Sequence, residues 1–230
     1  SVVLAGPILA RTGRVIFPHP GGCVIGHRPI DFFLEGFKRL GAQVKNNNSS
    51  YEIFTPTRKL KGAEIFFKMP SVTGTETFIM TAVLARGKTI IKNAAMEPEI
   101  VSLGEFLKSS GADISGLGTP TIIIKGGGLL DGSKKSYETM PDRIEAGSFL
   151  ILAAMVGRDV EIIDLNPNHL DALIHSLSLA GVKMEITKSS IRVRGNQPKF
   201  KALEIKTHEY PGFPTDLQAP IAVFLTQSVG

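Results

Sequence analysis

Three stretches decide the fold: Leu40-Gly41-Ala42-Gln43-Val44, Ser110-Gly111-Ala112-Asp113-Ile114 and Ala180-Gly181-Val182-Lys183-Met184. Their glycines, Gly41, Gly111 and Gly181, stand 70 residues apart both times. Four residues before each glycine lies Phe37, Leu107 or Leu177; eight before, Phe33, Leu103 or Leu173; eleven before, Ile30, Ile100 or Leu170. Those offsets fall on one face of a helix, so the same amphipathic helix recurs three times. The glycine sits where a left-handed C-cap belongs. Beyond it, the third position (Val44, Ile114, Met184) and the twelfth (Ile53, Ile123, Val193) mark the two strands of a hairpin.

Working outward, a second helix and a β-branched strand precede each copy, with Gly13, Gly87 and Gly157 between them. The pattern predicts helices near 2–12, 75–86, 143–156 and 215–229. Strands follow at Arg14–Phe17, Thr89–Lys92 and Val160–Ile163. Further strands precede three of the helices, at Ala63–Lys68, Lys135–Met140 and Ala202–Thr207. The unit is therefore β-α-β-α-β-β, and such units bury their apolar faces only by stacking on one another. The Gly-rich stretch Gly126–Lys135 reads as a linker between two lobes. The frame is cut at both ends: no strand precedes the first helix, and the strand after the fourth is missing. The expectation is an internal fragment, inactive on its own.

Composition narrows the class. The chain of 230 residues is 43% hydrophobic and 20% charged, with mean hydropathy +0.12, which excludes intrinsic disorder. It has no apolar run long enough for a membrane helix. A single cysteine makes no internal disulfide, which fits a reducing, cytoplasmic compartment. The net charge is +5, which suits an ordinary solvated surface or an anionic ligand. Tryptophan is absent and tyrosine scarce, against base stacking on nucleic acid.

One loop breaks the repeat. Gly87 to Gly111 and Gly157 to Gly181 each span 24 residues, but Gly13 to Gly41 spans 28. The four extra residues lie in Pro18–Arg28, PHPGGCVIGHR, which holds Cys23 among Gly21, Gly22 and Gly26. Cys23 reads two ways. Beside His19, His27 and Arg28 its thiolate would be favoured and reactive; alternatively it is a small buried hydrophobe.

PGGCVIGHRPID closely resembles the cysteine loop of the UDP-N-acetylglucosamine 1-carboxyvinyltransferase family of enolpyruvyl transferases. SVTGTET (71–77), NAAMEPEIVSLGEFLKSSGADISGLGT (93–119), MPDRIEAGSFL (140–150) and GFPTDLQA (212–219) agree with it too. The resemblance runs the length of the chain. It implies an α/β fold: an inside-out α/β barrel in each of two lobes, here partial, residues 1–137 with the cysteine loop and 138–230. The activity implied is transfer of enolpyruvyl from phosphoenolpyruvate to the 3′-hydroxyl of UDP-N-acetylglucosamine, the first committed step of peptidoglycan synthesis. On that footing Cys23 is the acid toward the phosphoenolpyruvate methylene and a covalent adduct site. Arg28 grips phosphate or carboxylate through its planar fork. Asp216 takes the hydroxyl proton; it also reads as a helix N-cap, and the two roles are compatible. Arg28, Pro29, Ile30, Asp31, Phe32, Ser71, Val72 and Asp216 hold the substrates. Thr73 stands where the family often has glycine, and His27 where a small residue is common.

No cofactor or metal is expected, since His19, His27, His169, His175 and His208 show no ligand spacing with the cysteine; neither a nucleophile elbow nor a Walker loop occurs. The partners expected are the two substrates, with no nucleic acid and no membrane. Two other readings stand beside this one. A 3-phosphoshikimate 1-carboxyvinyltransferase-like enzyme shares the fold but lacks the cysteine loop. A non-catalytic anion- or RNA-binding repeat scaffold suits the charge but has no RNA motif.

Overall fold

The computed structural model describes residues 2–19, 21, 30–57, 59–133, 136–157, 159–195 and 199–229. The chain divides into two compact units, Ser1–Glu138 and Thr139–Gly230. In the first, the elements run α1 (Ala5–Thr12), β1 (Arg14–Pro18), α2 (Asp31–Arg39), β2 (Gln43–Asn46), β3 (Ser50–Phe54), β4 (Glu64–Phe66), α3 (Val72–Ala82), β5 (Gly87–Lys92), α4 (Pro98–Ser109), β6 (Asp113–Ser115) and β7 (Thr121–Gly126). The second holds α5 (Arg143–Val156), β8 (Val160–Ile163), α6 (Asp171–Leu179), β9 (Met184–Ile186), β10 (Ser190–Val193), β11 (Phe200–Lys201), α7 (Gln218–Leu225) and β12 (Ser228–Val229).

The repeat is visible in the sheets. Among the described residues, β4 through β7 make a complete copy, ordered β4-β5-β7-β6, with β4 parallel to β5 and the remaining pairs antiparallel. The copies before and after show the same hairpin arrangement, β1-β3-β2 and β8-β10-β9. Gly41, Gly111 and Gly181 take φ of +88°, +103° and +96°. That is the left-handed region where a side chain is strained, which explains glycine at every copy. The helix faces fill the cores as the spacing predicts: Ile30, Phe33 and Phe37 with Ile100 and Leu107 in one cluster, Leu170, Leu173 and Leu177 in another.

Several expectations need correction. In the hairpins Val44 pairs with Ile53 and Met184 with Val193, but Ile114 pairs with Ile124. The turn through Gly116 and Gly118 is one residue longer, and a one-residue slip reverses every side chain. Ile124, not Ile123, is the buried member. The helix expected at 75–86 begins at Val72, because Ser71 caps it by accepting from the Gly74 N–H at 3.1 Å. The helix expected at 215–229 is a short 3-10 turn, Thr215–Leu217, followed by α7. It is succeeded within the chain by β12, parallel to β11; the strand expected to be missing is present. The strand expected at Ala202–Thr207 is shorter and earlier, at β11. Residues 136–140 form no strand: Tyr137 instead donates to the Ser102 carbonyl at 2.8 Å and packs against Phe106 on α4.

Polar groups lie on the outer faces of the sheets. Cross-strand ion pairs join Arg14 to Glu52, Lys92 to Glu64, and Arg194 to Glu185 and Asp159. Exposed pairs of this kind contribute about 0–1 kcal/mol each, so the apolar helix faces carry the stability. One contact there is critical. A Cβ on Gly36 of α2 would lie 2.7 Å from Cε1 of Phe78 on α3 and closer to Cζ, and Phe78 is fully buried. Gly36→Ala should therefore lower the urea midpoint. Helix propensity favours alanine by about 1 kcal/mol, while overpacking costs roughly 1–3 kcal/mol. Adding Phe78→Leu should recover part of the loss; an unchanged or raised midpoint for Gly36→Ala alone contradicts the packing account.

Candidate functional site

In the first unit α2 and the segment leading into α3 frame an open cleft of about 650 Å³. Asp31, Phe32, Glu35 and Arg39 line one side, and the chain from Ile65 to Ser71 lines the other. Asp31 occupies the first turn of α2, where the exposed N–H groups give the helix its positive end. The Phe32 ring is tilted against Phe33 with centroids 4.1 Å apart, meets Phe67 edge-on at 5.9 Å, and lies over Gly74. A Cβ at position 74 would be 2.7 Å from Phe32. Thr73, by contrast, is exposed and tolerates a side chain. Ser71 both lines the cleft and starts α3.

Of the residues singled out in the sequence, Asp31, Phe32 and Ser71 thus share one cleft. Ile30 is buried in the core and Val72 packs against it, so these two support the cleft from beneath. Cys23, Arg28, Pro29 and His27 lie outside the described residues. His19 is described: its Nε2 is 2.9 Å from Asn46 Oδ1 and its ring packs on Tyr51.

Asp216 belongs to the second unit, in the 3-10 turn ahead of α7, and is exposed. Neither that turn nor α7 receives a side-chain cap, so the capping alternative for Asp216 is not realised. His169 lies in a separate 3-10 turn rather than on the helix of His175. Among the described residues no group of His, Cys, Asp and Glu could hold a metal ion, and no helix is long and apolar enough to cross a membrane.

Residues 1–229 match the profile of EPSP synthase (3-phosphoshikimate 1-carboxyvinyltransferase). The chain belongs to the EPSP synthase family. Within that family it is 45% identical over 230 residues to a protein of Caldanaerobacter subterraneus subsp. tengcongensis named UDP-N-acetylglucosamine 1-carboxyvinyltransferase 1. It is 44% identical over 230 residues to a protein of Geobacter metallireducens named UDP-N-acetylglucosamine 1-carboxyvinyltransferase. Each alignment takes in 100% of this chain and 54% of the relative; the chain spans about half the length of the curated relatives it matches. Among solved structures, the enolpyruvyl transferase NikO from Streptomyces tendae superposes with TM-score 0.77 at 16% identity, over 97% of this chain and 53% of that one. An EPSP synthase from Acinetobacter baumannii gives 0.62 at 20%, over 98% and 50%. The fold is the inside-out α/β fold of the EPSP synthase family, as the resemblance implies.

Sequence reasoning missed Glu35, Arg39, Phe66, Lys68 and Met69, which also line the cleft. A signal existed for two of them. Asp31, Glu35 and Arg39 are four residues apart, on the face of α2 opposite Phe33 and Phe37, and Glu35 and Arg39 pair at 3.4 Å. The loop residues follow no period.

Glu76, in the matched segment at the start of α3, has its pKa raised by burial and secondarily by the nearby charge of Glu99. A carboxyl raised in the folded state holds its proton more tightly than in the unfolded chain. Its contribution therefore favours folding at acid pH and is lost as pH rises through the folded value. Glu76→Gln should accordingly stabilise the chain at neutral pH, with the gain fading once pH falls below the ordinary value of 4.5. Urea midpoints for both chains at about pH 7 and about pH 4 provide the check. A gain of equal size at both would show that ionisation is not responsible.

Proposed function

We propose that the protein to which this sequence belongs transfers enolpyruvyl from phosphoenolpyruvate to the 3′-hydroxyl of UDP-N-acetylglucosamine, in the cytoplasm, as the first committed step of peptidoglycan synthesis. The observation that carries the reading is 44–45% identity, along the entire chain, to relatives named for this reaction. The cleft gathering Asp31, Phe32 and Ser71 supports it as a place for the nucleotide sugar. The family profile is named for the shikimate enzyme, but the PGGC stretch around Cys23 resembles the cysteine loop of the sugar-nucleotide enzymes.

The resemblance assigns the residues, and the chemistry says what each must do. Protonation of the phosphoenolpyruvate methylene, C3, makes C2 electrophilic, and Cys23 is the acid. The 3′-oxygen then bonds to C2 while its proton passes to Asp216. Loss of a C3 proton to the Cys23 thiolate restores the double bond and expels phosphate from C2, and the proton on Asp216 passes to the released phosphate, so atoms and charge balance. Arg28 holds the departing oxyanion with two parallel N–H donors, which stabilises charge as it develops. Asp31, Phe32 and Ser71, with Pro29, hold the nucleotide sugar, and Ile30 and Val72 support them from beneath.

The decisive measurement is phosphate release by this sequence carried in a chain of the relatives' full length. It is expected with phosphoenolpyruvate plus UDP-N-acetylglucosamine and not with 3-phosphoshikimate; release only with the latter overturns the assignment. Asp216→Asn should slow the chemical step by at least about a hundredfold, in the range typical of a lost general base, while nucleotide-sugar binding survives. Near-normal turnover removes Asp216 from the mechanism. Iodoacetamide labelling of Cys23 against pH should give an apparent pKa below the usual thiol value of about 8.5. A value at or above it leaves Cys23 an ordinary thiol.

A further inference from the structure

Two of the matched segments, MPDRIEAGSFL and GFPTDLQA, interlock in the second unit. α5 is started by Asp142, whose Oδ1 accepts from the N–H groups of Ile144 at 2.8 Å and Glu145 at 3.1 Å. That cap fixes the first turn, and Arg143 and Gly147, four residues apart, point from the same face of it. Both meet the segment that carries Asp216. The Arg143 guanidinium lies over the Tyr210 ring, 5.7 Å from its centroid, a cation–π distance. Gly147 is covered by Leu217: a Cβ there would lie 2.7 Å from Leu217 Cδ1, 3.2 Å from Leu173 and 3.3 Å from Leu170.

These contacts stand on either side of Asp216. Tyr210 is at the tip of a loop closed on itself, with Thr207 bridged to Phe213. The His208 N–H donates to the Phe213 carbonyl at 2.9 Å and the Gly212 N–H to the Glu209 carbonyl at 2.8 Å. Gripping Tyr210 therefore also fixes Phe213, which is itself buried. On the other side Leu217 is fully buried, and its N–H donates to the Pro214 carbonyl at 3.1 Å. Arg143, His169, Tyr210, Pro214 and Leu217 line one small pocket. Asp216, between the two anchors, is exposed, so its direction is set by the backbone turn rather than by its own burial.

We propose that Arg143 is a positioning residue for Asp216. It acts through Tyr210, with the Gly147–Leu217 contact as the second point of the clamp, and aims the carboxylate without touching the reacting atoms. The inference rests on the reading of Asp216 as the base. A base misplaced by a fraction of an ångström loses rate without loosening the substrate.

The test uses the full-length protein, its Arg143→Gln, Tyr210→Leu and Tyr210→Phe variants, and Arg143→Gln combined with Asp216→Asn. Arg143→Gln and Tyr210→Leu should lower kcat about tenfold with KM for UDP-N-acetylglucosamine changed less than about twofold, as expected of lost orientation. Tyr210→Phe keeps the ring and should restore kcat. On the Asp216→Asn background, Arg143→Gln should cost less than about a further twofold, because residues acting through one group are not additive. Additive losses, an unchanged kcat, or a raised KM with kcat intact each overturn the proposal, the last making Arg143 a binding residue. Hydrogen exchange separates this from the proposed reaction. In Arg143→Gln the amides of 207–217 should exchange about tenfold faster while those of α6 keep their protection, since local opening is independent of global stability. Unchanged exchange at 207–217, or faster exchange in α6 as well, rejects the clamp whatever reaction the protein performs. A parent protein without turnover rejects the proposed function and leaves exchange to decide the clamp.

Discussion

The first unit depends on α3 being buried over all but one narrow stripe, the one carrying Thr73, Glu76 and Met80. Phe78, Ile79 and Ala82 are fully enclosed, and so are Thr75, Thr77 and Thr81. A helix can be buried this deeply only if its enclosed polar side chains find partners within reach. Thr77 donates to the Thr73 carbonyl at 2.7 Å and Thr81 to the Thr77 carbonyl at 2.6 Å, while Thr75 accepts from the Ala95 N–H at 3.0 Å. With the hydroxyls satisfied in this way, neighbouring elements close directly onto the helix. α1 does so at Gly6, where a Cβ would lie 2.9 Å from Thr77 Cγ2, and α2 does so at Gly36 over Phe78. The cleft is a by-product of these approaches. Phe32 rests on Gly74, and Ser71 both ends the cleft wall and starts the buried helix.

The second unit meets the same demand with different residues. Its long helix α5 has Leu150 and Ile151 enclosed and uses Gly147 as the point of close approach. There the approaching residue is Leu217, adjacent to Asp216, rather than an aromatic ring. In both units a glycine on a core helix lies under the segment that bears the functional side chains. A change at either glycine would thus reach the site through packing, in a core with little free space to absorb it.

The repeat was legible in sequence because its signals are local and periodic. A left-handed glycine recurs every 70 residues, and the apolar positions before it keep helical spacing. Legibility failed where a tertiary contact replaced a local preference. Residues 136–140 look extended, yet Tyr137 takes its partners from α4, more than thirty residues earlier. The hairpin after Gly111 kept its composition but gained a residue in the turn, and alternation magnifies one residue into a reversal of faces. For the site, the motif stretches were readable as chemistry, but the relation between them was not. No spacing rule connects Arg143 to Tyr210 or Phe32 to Gly74, because those pairs exist only after the helices have packed.

The position of the four-residue insertion in the sequence shows how the repeat admits a change of length. Ile30, Ile100 and Leu170 occupy equivalent places before the repeated helix, and all three are buried. The extra residues of the first copy enter upstream of Ile30, so the helix that follows keeps its register on the core. An insertion one position later would rotate Phe33 and Phe37 away from Phe78 by about 100° for each added residue. The register of α2 on the core is therefore independent of how many residues precede Ile30, as is general for connections on a rigid scaffold. Asp31 and Phe32, which follow Ile30 directly, inherit their positions from the core rather than from the loop. A cleft wall whose residues are fixed by the core keeps its geometry whatever length of chain precedes Ile30.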